Sequence, residues 1–152
     1  MYKRIPKIIQ MSKYILKFDG CSKGNPGHSG AGAVLYRDNT EIWTESKYLG
    51  NHKTNNQAEY SALIIGLYHA RNLELPELLV CGDSQMVIKQ MLKEYKVKSE
   101  NMIIMHKEAS DIAKDINNIR FQHIYREQNT RADELANLAI TELYKNENLF
   151  KN

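Results

Sequence analysis

The sequence predicts an α/β fold: a five-stranded mixed β-sheet, three antiparallel strands followed by parallel βα units, flanked by helices. Three observations carry this expectation. The first third of the chain alternates apolar and polar residues between turn signals, as hairpin-connected strands do. Leu78 to Gly82 is a short, continuously apolar run, the pattern of a strand buried on both faces of a parallel sheet. Long segments with apolar residues at helical spacing flank the later strands, as crossover connections require.

Residues 13–19 alternate and form the first strand, and Gly24-Asn25-Pro26-Gly27 turns the chain. Gly30 to Tyr36 is the second strand, and Asp38-Asn39 is a hairpin turn into a third from Glu41 to Leu49. A helix runs from about Asn56 to Leu73, with Ala58, Ala62, Ile65 and His69 on one side and Leu63, Leu67 and Ala70 widening the stripe. Pro76 breaks the chain before the apolar strand. Ser84 caps a helix carrying Val87, Ile88, Met91 and Leu92, and a further helix spans about Ser99 to Ile116. Ile119 to Tyr125 is the fifth strand, and Thr130 caps a last helix with Leu135, Leu138, Ala139 and Leu143 on its apolar side. The expected organisation is a loose basic extension over 1–11, one domain over 12–145 and a frayed polar tail over 146–152.

A chain of 152 residues, 42% hydrophobic and 26% charged, reads as one ordinary globular domain. At this length roughly 70% of the unfolded surface is buried on folding, so no staple is needed. The net charge of +3 permits an anionic partner without requiring one. Lys3, Arg4, Lys7, Lys13 and Lys17 open the chain without an acid among them, and Lys89, Lys93, Lys96 and Lys98 form a second basic run. Either run suits nucleic acid, and either suits a solvated face.

Cys21 and Cys81 form neither a metal-ligand pair nor a secreted framework. With Asp19 and Asp83 level on neighbouring parallel strands, the two cysteines are offset in opposite directions by about 13 Å, too far to bridge. Reduced thiols, with no signal peptide and no apolar run of membrane-spanning length, place the expected location in a reducing cytoplasm.

The chemistry points to four acids, Asp19, Glu59, Asp83 and Asp133. Asp19 and Asp83 each follow an apolar strand, at the carboxyl ends where open α/β sheets bind ligands. Glu59 and Asp133 sit in early helical turns, where an acid also suits the helix dipole. Converging carboxylates repel one another unless a hard cation neutralises them. Oxygen donors with no His/Cys cluster favour Mg²⁺ or Mn²⁺ over Zn²⁺.

The flanks of these acids resemble those of the type 1 ribonucleases H. Asp19-Gly20-Cys21-Ser22-Lys23-Gly24-Asn25-Pro26-Gly27 followed by Gly30-Ala31-Gly32-Ala33 is similar to the family's first motif, and Asn55-Asn56-Gln57-Ala58-Glu59-Tyr60 to its second. Gly82-Asp83-Ser84-Gln85 and Arg131-Ala132-Asp133-Glu134-Leu135-Ala136 are similar to the third and fourth, in family order across about residues 13 to 145. The resemblance implies the ribonuclease H fold and hydrolysis of the RNA strand of RNA–DNA hybrids, leaving 5′-phosphate and 3′-hydroxyl ends. It implies two Mg²⁺ ions, for which Mn²⁺ substitutes, on Asp19, Glu59, Asp83 and Asp133, with Asp19 bridging both. It places Gly24, Asn25, Asn55, Asn56, Gln57, Ser84, Gln85 and Asn129 at the substrate.

Two departures from the family pattern stand out. The loop Tyr125-Arg126-Glu127-Gln128-Asn129-Thr130-Arg131 lacks the histidine that many members carry there, and Arg126 or Glu127 is the candidate to replace it. The span between Asp83 and Asp133 leaves little room for a basic, aromatic-rich protrusion, and the single Trp, Trp43, lies in the third strand. Double-stranded RNA stays open as a second substrate, and no obligate protein partner is evident. Two other readings keep the fold: a hybrid-binding module without catalysis, against which all four acids argue, and a DNA nuclease, against which the amide-rich flanks argue.

Overall fold

The computed structural model describes residues 12–149. The expected extension over residues 1–11 lies outside them. Among the described residues there are five strands: β1 Tyr14–Lys23, β2 Gly27–Arg37, β3 Thr40–Lys53, β4 Leu78–Gly82 and β5 Ile119–His123. Four helices accompany them: α1 Asn55–Asn72, α2 Gln85–Met91, α3 Glu100–Ala113 and α4 Thr130–Leu149. The spatial order is β3-β2-β1-β4-β5. The β1–β2 and β2–β3 pairs are antiparallel, and β1–β4 and β4–β5 are parallel. The expected mixed sheet is therefore the observed one.

The first three strands are longer than their alternation suggested. The β1–β2 ladder continues past Asp19 through Cys21↔Gly30 to Lys23↔His28, so the Gly-rich motif is itself sheet. Glycine and polar residues hide that extension, because backbone pairing and not apolar alternation holds it. Asp38 and Asn39 turn the β2–β3 hairpin with φ of 49° and 67°, the left-handed pair that a tight hairpin needs.

The sheet is covered on both faces. Leu16, Phe18, Ala31, Ala33 and Leu35 pack with α1 residues Tyr60, Leu63 and Leu67 and with α3 residues Met102, Ala109 and Ile112. Tyr60 and Ile64 are buried along with Ala58, Ala62, Leu63, Leu67 and Ala70 of the predicted stripe, because α1 is sandwiched between the sheet and α3, while Ile65 and His69 are only half-buried. On the opposite face α4 lies on β2, where Val34 meets Ala132 and Leu135. A Cβ at Gly30 or Gly32 would fall 2.0 Å from Ala136 O or 2.2 Å from Ala132 O, so only glycine lets α4 approach this closely.

Caps hold the helix starts. Thr54 accepts from Gln57 N while the Gln57 side chain accepts from Thr54 N, a reciprocal capping box at α1. Ser84 and Ser99 cap α2 and α3 by accepting from Val87 N and Met102 N. Thr130 corrects one expectation: it is the first residue of α4 and not its cap, and the carbonyl of Asn129 before it accepts Asp133 N–H. α4 runs to Leu149, into the segment expected to fray. Among the described residues no helix is long and apolar enough to cross a membrane. Cys21 and Cys81 are both free.

Candidate active site

Phe18 pairs with Gly82 at the end of the parallel β1–β4 ladder, which brings Asp19 and Asp83 level on adjacent strands. Glu59, in the second turn of α1, joins them from the side of β1. One carboxylate oxygen from each of Asp19, Glu59 and Asp83 lies within 4.8 Å of the others. Asp133, exposed in the first turn of α4, lines the same cavity of about 440 Å³. Asn55, Asn56, Ser84 and Arg126 line it too. All four acids and three of the eight anticipated substrate residues thus share one concavity at the carboxyl ends of the strands.

The electrostatics follow from burial. Asp19 is only 5% exposed, and burial pushes its carboxyl up to about 7, with the Asp83 and Asp133 charges adding to the rise. Glu59 is pushed well above the usual carboxylate range, first by burial and then by the Asp19 charge, with the Gly20 amide pulling it back. Glu59 Oε2 is fully covered and has no hydrogen-bond partner. A buried carboxylate oxygen without a donor, among acids that resist ionisation together, fits a hard cation as the absent partner. Asp19, Glu59 and Asp83 would hold it directly, with Asp133 close enough to Asp19 to push its carboxyl further up.

A stability measurement tests this charge balance. Unfolded, the Asp19 carboxyl ionises near 3.8; folded and free of metal, near 7. Between those values the folded protein holds the extra proton, so stability falls as pH rises from about 4 to 7. Melting in a chelator is expected to lose on the order of 5 °C in Tm from pH 5 to pH 8, and millimolar Mg²⁺ to restore it. A Tm independent of pH and of Mg²⁺ would contradict the site.

The rim is braced before any ligand arrives. Asn55 Oδ1 accepts from Ser22 N at 2.8 Å, and Asn55 N donates to Asn25 Oδ1 at 2.9 Å, tying the β1–β2 turn to the start of α1. Gly24 turns that loop with φ of 109°, a conformation that favours glycine. Asn25, Asn56 and Gln57 line an adjoining groove of about 540 Å³ with His52, Thr54 and Ser99. Gln85 is exposed at the first position of α2, outside both concavities. Lys96 and Lys98 line a third groove with Tyr95 and Asn56, while Lys89 sits 5.0 Å over the Tyr95 ring.

The loop without histidine folds as a 3-10 turn over Arg126–Gln128. The Arg126 side chain is 88% exposed and its Nε lies 3.9 Å from Asp83 Oδ2. Glu127 is exposed and does not line the acid cavity. Asn129 is placed differently from the other anticipated substrate residues: it is 1% exposed and turns inward. His69 stacks on Trp43, and His123 Nε2 lies 3.2 Å from the Asp83 carbonyl oxygen, so both serve the fold.

Four cavity residues, Gly20 among them, were not singled out from the sequence as site residues. Lys23 ends β1, Cys21 lies two residues beyond Asp19, and Asn137 lies one turn beyond Asp133. Asn137 Nδ2 donates to Asp133 Oδ1 at 3.2 Å and to Asp133 O at 2.9 Å. The i,i+4 spacing from Asp133 was the available signal for Asn137. Cys21 and Lys23 follow from strand alternation out of Asp19, which places every second residue on one face, once β1 is known to reach Lys23.

Comparison with known proteins places this geometry. Residues 17–139 match the family model described as "Reverse transcriptase-like". The chain is 39% identical over 129 residues to "Bifunctional protein Rv2228c" of Mycobacterium tuberculosis, covering 84% of this chain and 35% of that protein. It therefore spans about a third of the length of that relative. The crystal structure of RNase H1 from the archaeon Halobacterium salinarum superposes with a TM-score of 0.82 at 33% identity, covering 86% of this chain and 98% of that one. LC11-RNase H1, in a structure with an RNA/DNA hybrid, gives a TM-score of 0.82 at 36% identity over 87% of this chain and 99% of that one. Taken with the mixed sheet and the acids at its carboxyl edge, these likenesses place the chain in the type 1 ribonuclease H family.

Proposed function

We propose that the chain is a divalent-metal-dependent endoribonuclease that hydrolyses the RNA strand of RNA–DNA hybrids, leaving 5′-phosphate and 3′-hydroxyl ends. The observation that carries the reading is the meeting of Asp19, Glu59 and Asp83 within 4.8 Å around a covered Glu59 oxygen that no protein donor satisfies. Two bound Mg²⁺ ions, or Mn²⁺ in their place, would polarise the attacking water and neutralise charge on the departing ribose oxygen. Asp19 is the acid that faces all three others, which supports a bridging role for it, with Glu59 and Asp83 to one side and Asp133 to the other.

The amides supply selectivity. Asn25, Asn55, Asn56 and Gln57, with Gly24 and Ser84 beside them, form a polar floor next to the acids, and Gln85 stands exposed at the start of α2, where it would meet the duplex outside that floor. Such groups test for the 2′-hydroxyl that separates RNA from DNA in a wide, shallow minor groove. The Ser22–Asn55–Asn25 bonds hold that floor in shape, so little ordering is needed on binding. Arg126, nearly free in solvent beside Asp83, takes a backbone phosphate of the cut strand, with Glu127 as its accessory neighbour. A relative of the same fold holding an RNA/DNA hybrid supports the same substrate here. The catalytic unit is residues 12–145, and two free thiols suit a reducing cytoplasm.

The test is cleavage by the purified protein of four labelled substrates, each with Mg²⁺ and with Mn²⁺. They are a hybrid, double-stranded RNA, a DNA duplex, and a DNA duplex with a single ribonucleotide. The RNA of the hybrid is expected to be cut and its DNA strand spared. A DNA duplex cut as fast as the hybrid would overturn the proposal. The double-stranded RNA and single-ribonucleotide arms define the breadth of the substrate range.

A further inference from the structure

Beneath the acids one polar side chain is closed off from solvent. Asn129, 1% exposed, sits where the 3-10 turn meets α4. Its Nδ2 donates to Phe18 O at 2.9 Å and to Asp83 Oδ1 at 3.3 Å. Its backbone carbonyl accepts Asp133 N–H at 3.1 Å. Phe18 is the residue before Asp19. One residue is therefore bonded to β1 directly ahead of Asp19, to the Asp83 carboxylate at the end of β4, and to the turn of α4 that carries Asp133.

Two features separate this arrangement from ordinary core packing. Both groups facing Nδ2 are acceptors, so the amide has only one workable orientation. The other end, Oδ1, is fully covered and has no partner. An apolar side chain of similar volume would fill the space without that orphaned oxygen. What such a side chain would lack is the two donated bonds, and both run to the strands that bear metal-site acids. The bond to Asp83 occupies Oδ1 and leaves Oδ2, the oxygen 3.9 Å from Arg126 Nε, unheld by Asn129.

We infer that Asn129 is a positioning residue of the metal centre: it sets the Asp83 carboxylate against Asp19 and Asp133 and acts through them without touching the substrate. The inference rests on the metal-dependent reading above. Its test is calorimetric titration of Mn²⁺ into substrate-free wild type, Asn129→Ala and Asn129→Ser, with hybrid cleavage measured against Mg²⁺ concentration. Asn129→Ala is expected to bind Mn²⁺ about tenfold more weakly or worse, as lost outer-shell partners of metal ligands typically cause. Its half-saturating Mg²⁺ rises in step and its kcat falls, while KM for the hybrid stays within about twofold. Asn129→Ser keeps one donor and recovers part of the metal affinity. Unchanged Mn²⁺ affinity in folded Asn129→Ala overturns the inference, as does a raised KM with unchanged metal dependence, which would mean substrate contact. Should the alanine variant not fold, the serine variant decides by the same comparison. The calorimetry uses no nucleic acid, so a wild type inert on hybrids would overturn the ribonuclease reading while the metal-binding comparison still decides this one.

Discussion

Asp19→Asn is expected to abolish hybrid cleavage, by at least about a thousandfold, while leaving the metal-free protein as stable as the parent or more stable. The two effects have one cause. Asp19 is 5% exposed, and burial together with the Asp83 and Asp133 charges makes its ionised form costly in the absence of a cation. Asparagine keeps the shape and removes the charge, which relieves that cost in a chelator. The same change removes the acid that faces all the others, so the site loses the charge that would hold cations together. Single-turnover cleavage and thermal melting in EDTA measure both sides. An active Asp19→Asn protein would sink the metal assignment, and a marked loss of stability in EDTA would sink the account of buried repulsion.

The second large effect is steric. Gly20→Ala is expected to destabilise the protein by about 3 kcal/mol or more and to raise the Mg²⁺ needed for activity. A Cβ at Gly20 would lie 2.1 Å from Ala58 C, 2.3 Å from Ala58 O and 2.4 Å from Glu59 N. All three are backbone atoms and cannot rotate aside. α1 would have to retreat from β1, drawing Glu59 away from Asp19 and from the Gly20 amide that favours its charge. At this chain length the stability loss corresponds to a Tm roughly 10 °C lower. Urea unfolding and an Mg²⁺ titration of cleavage read the two consequences. A variant of parental stability and parental metal demand would show that α1 yields freely, contrary to this packing.

Much of this was legible in the sequence because local chemistry encodes it. Ser84 announces a helix start by what a hydroxyl does for orphaned backbone amides, and the cap at Ser99 follows the same chemistry. The apolar run Leu78–Gly82 announces a central strand by having no polar face. The four acids stand out because strand ends and helix starts are defined by neighbours in sequence. Thr130 resembles a cap for a local reason too: a hydroxyl one residue past Asn129 has a cap's chemistry, and only the backbone bond from Asp133 N–H to Asn129 O places it inside the helix.

By itself, then, the sequence determined the order of elements, the acids and the amide-rich flanks, all set by residues within a few positions of one another. Only the tertiary structure decided that Asp19 and Asp83 stand level, that Glu59 Oε2 is sealed without a partner, and that Asn129 turns inward to Phe18 and Asp83. These depend on strand register and on glycine-permitted approaches between segments far apart in the chain. An asparagine's spelling is the same whether it faces solvent, nucleic acid or a buried carboxylate. Burial and the distance to its acceptors are what assign its role.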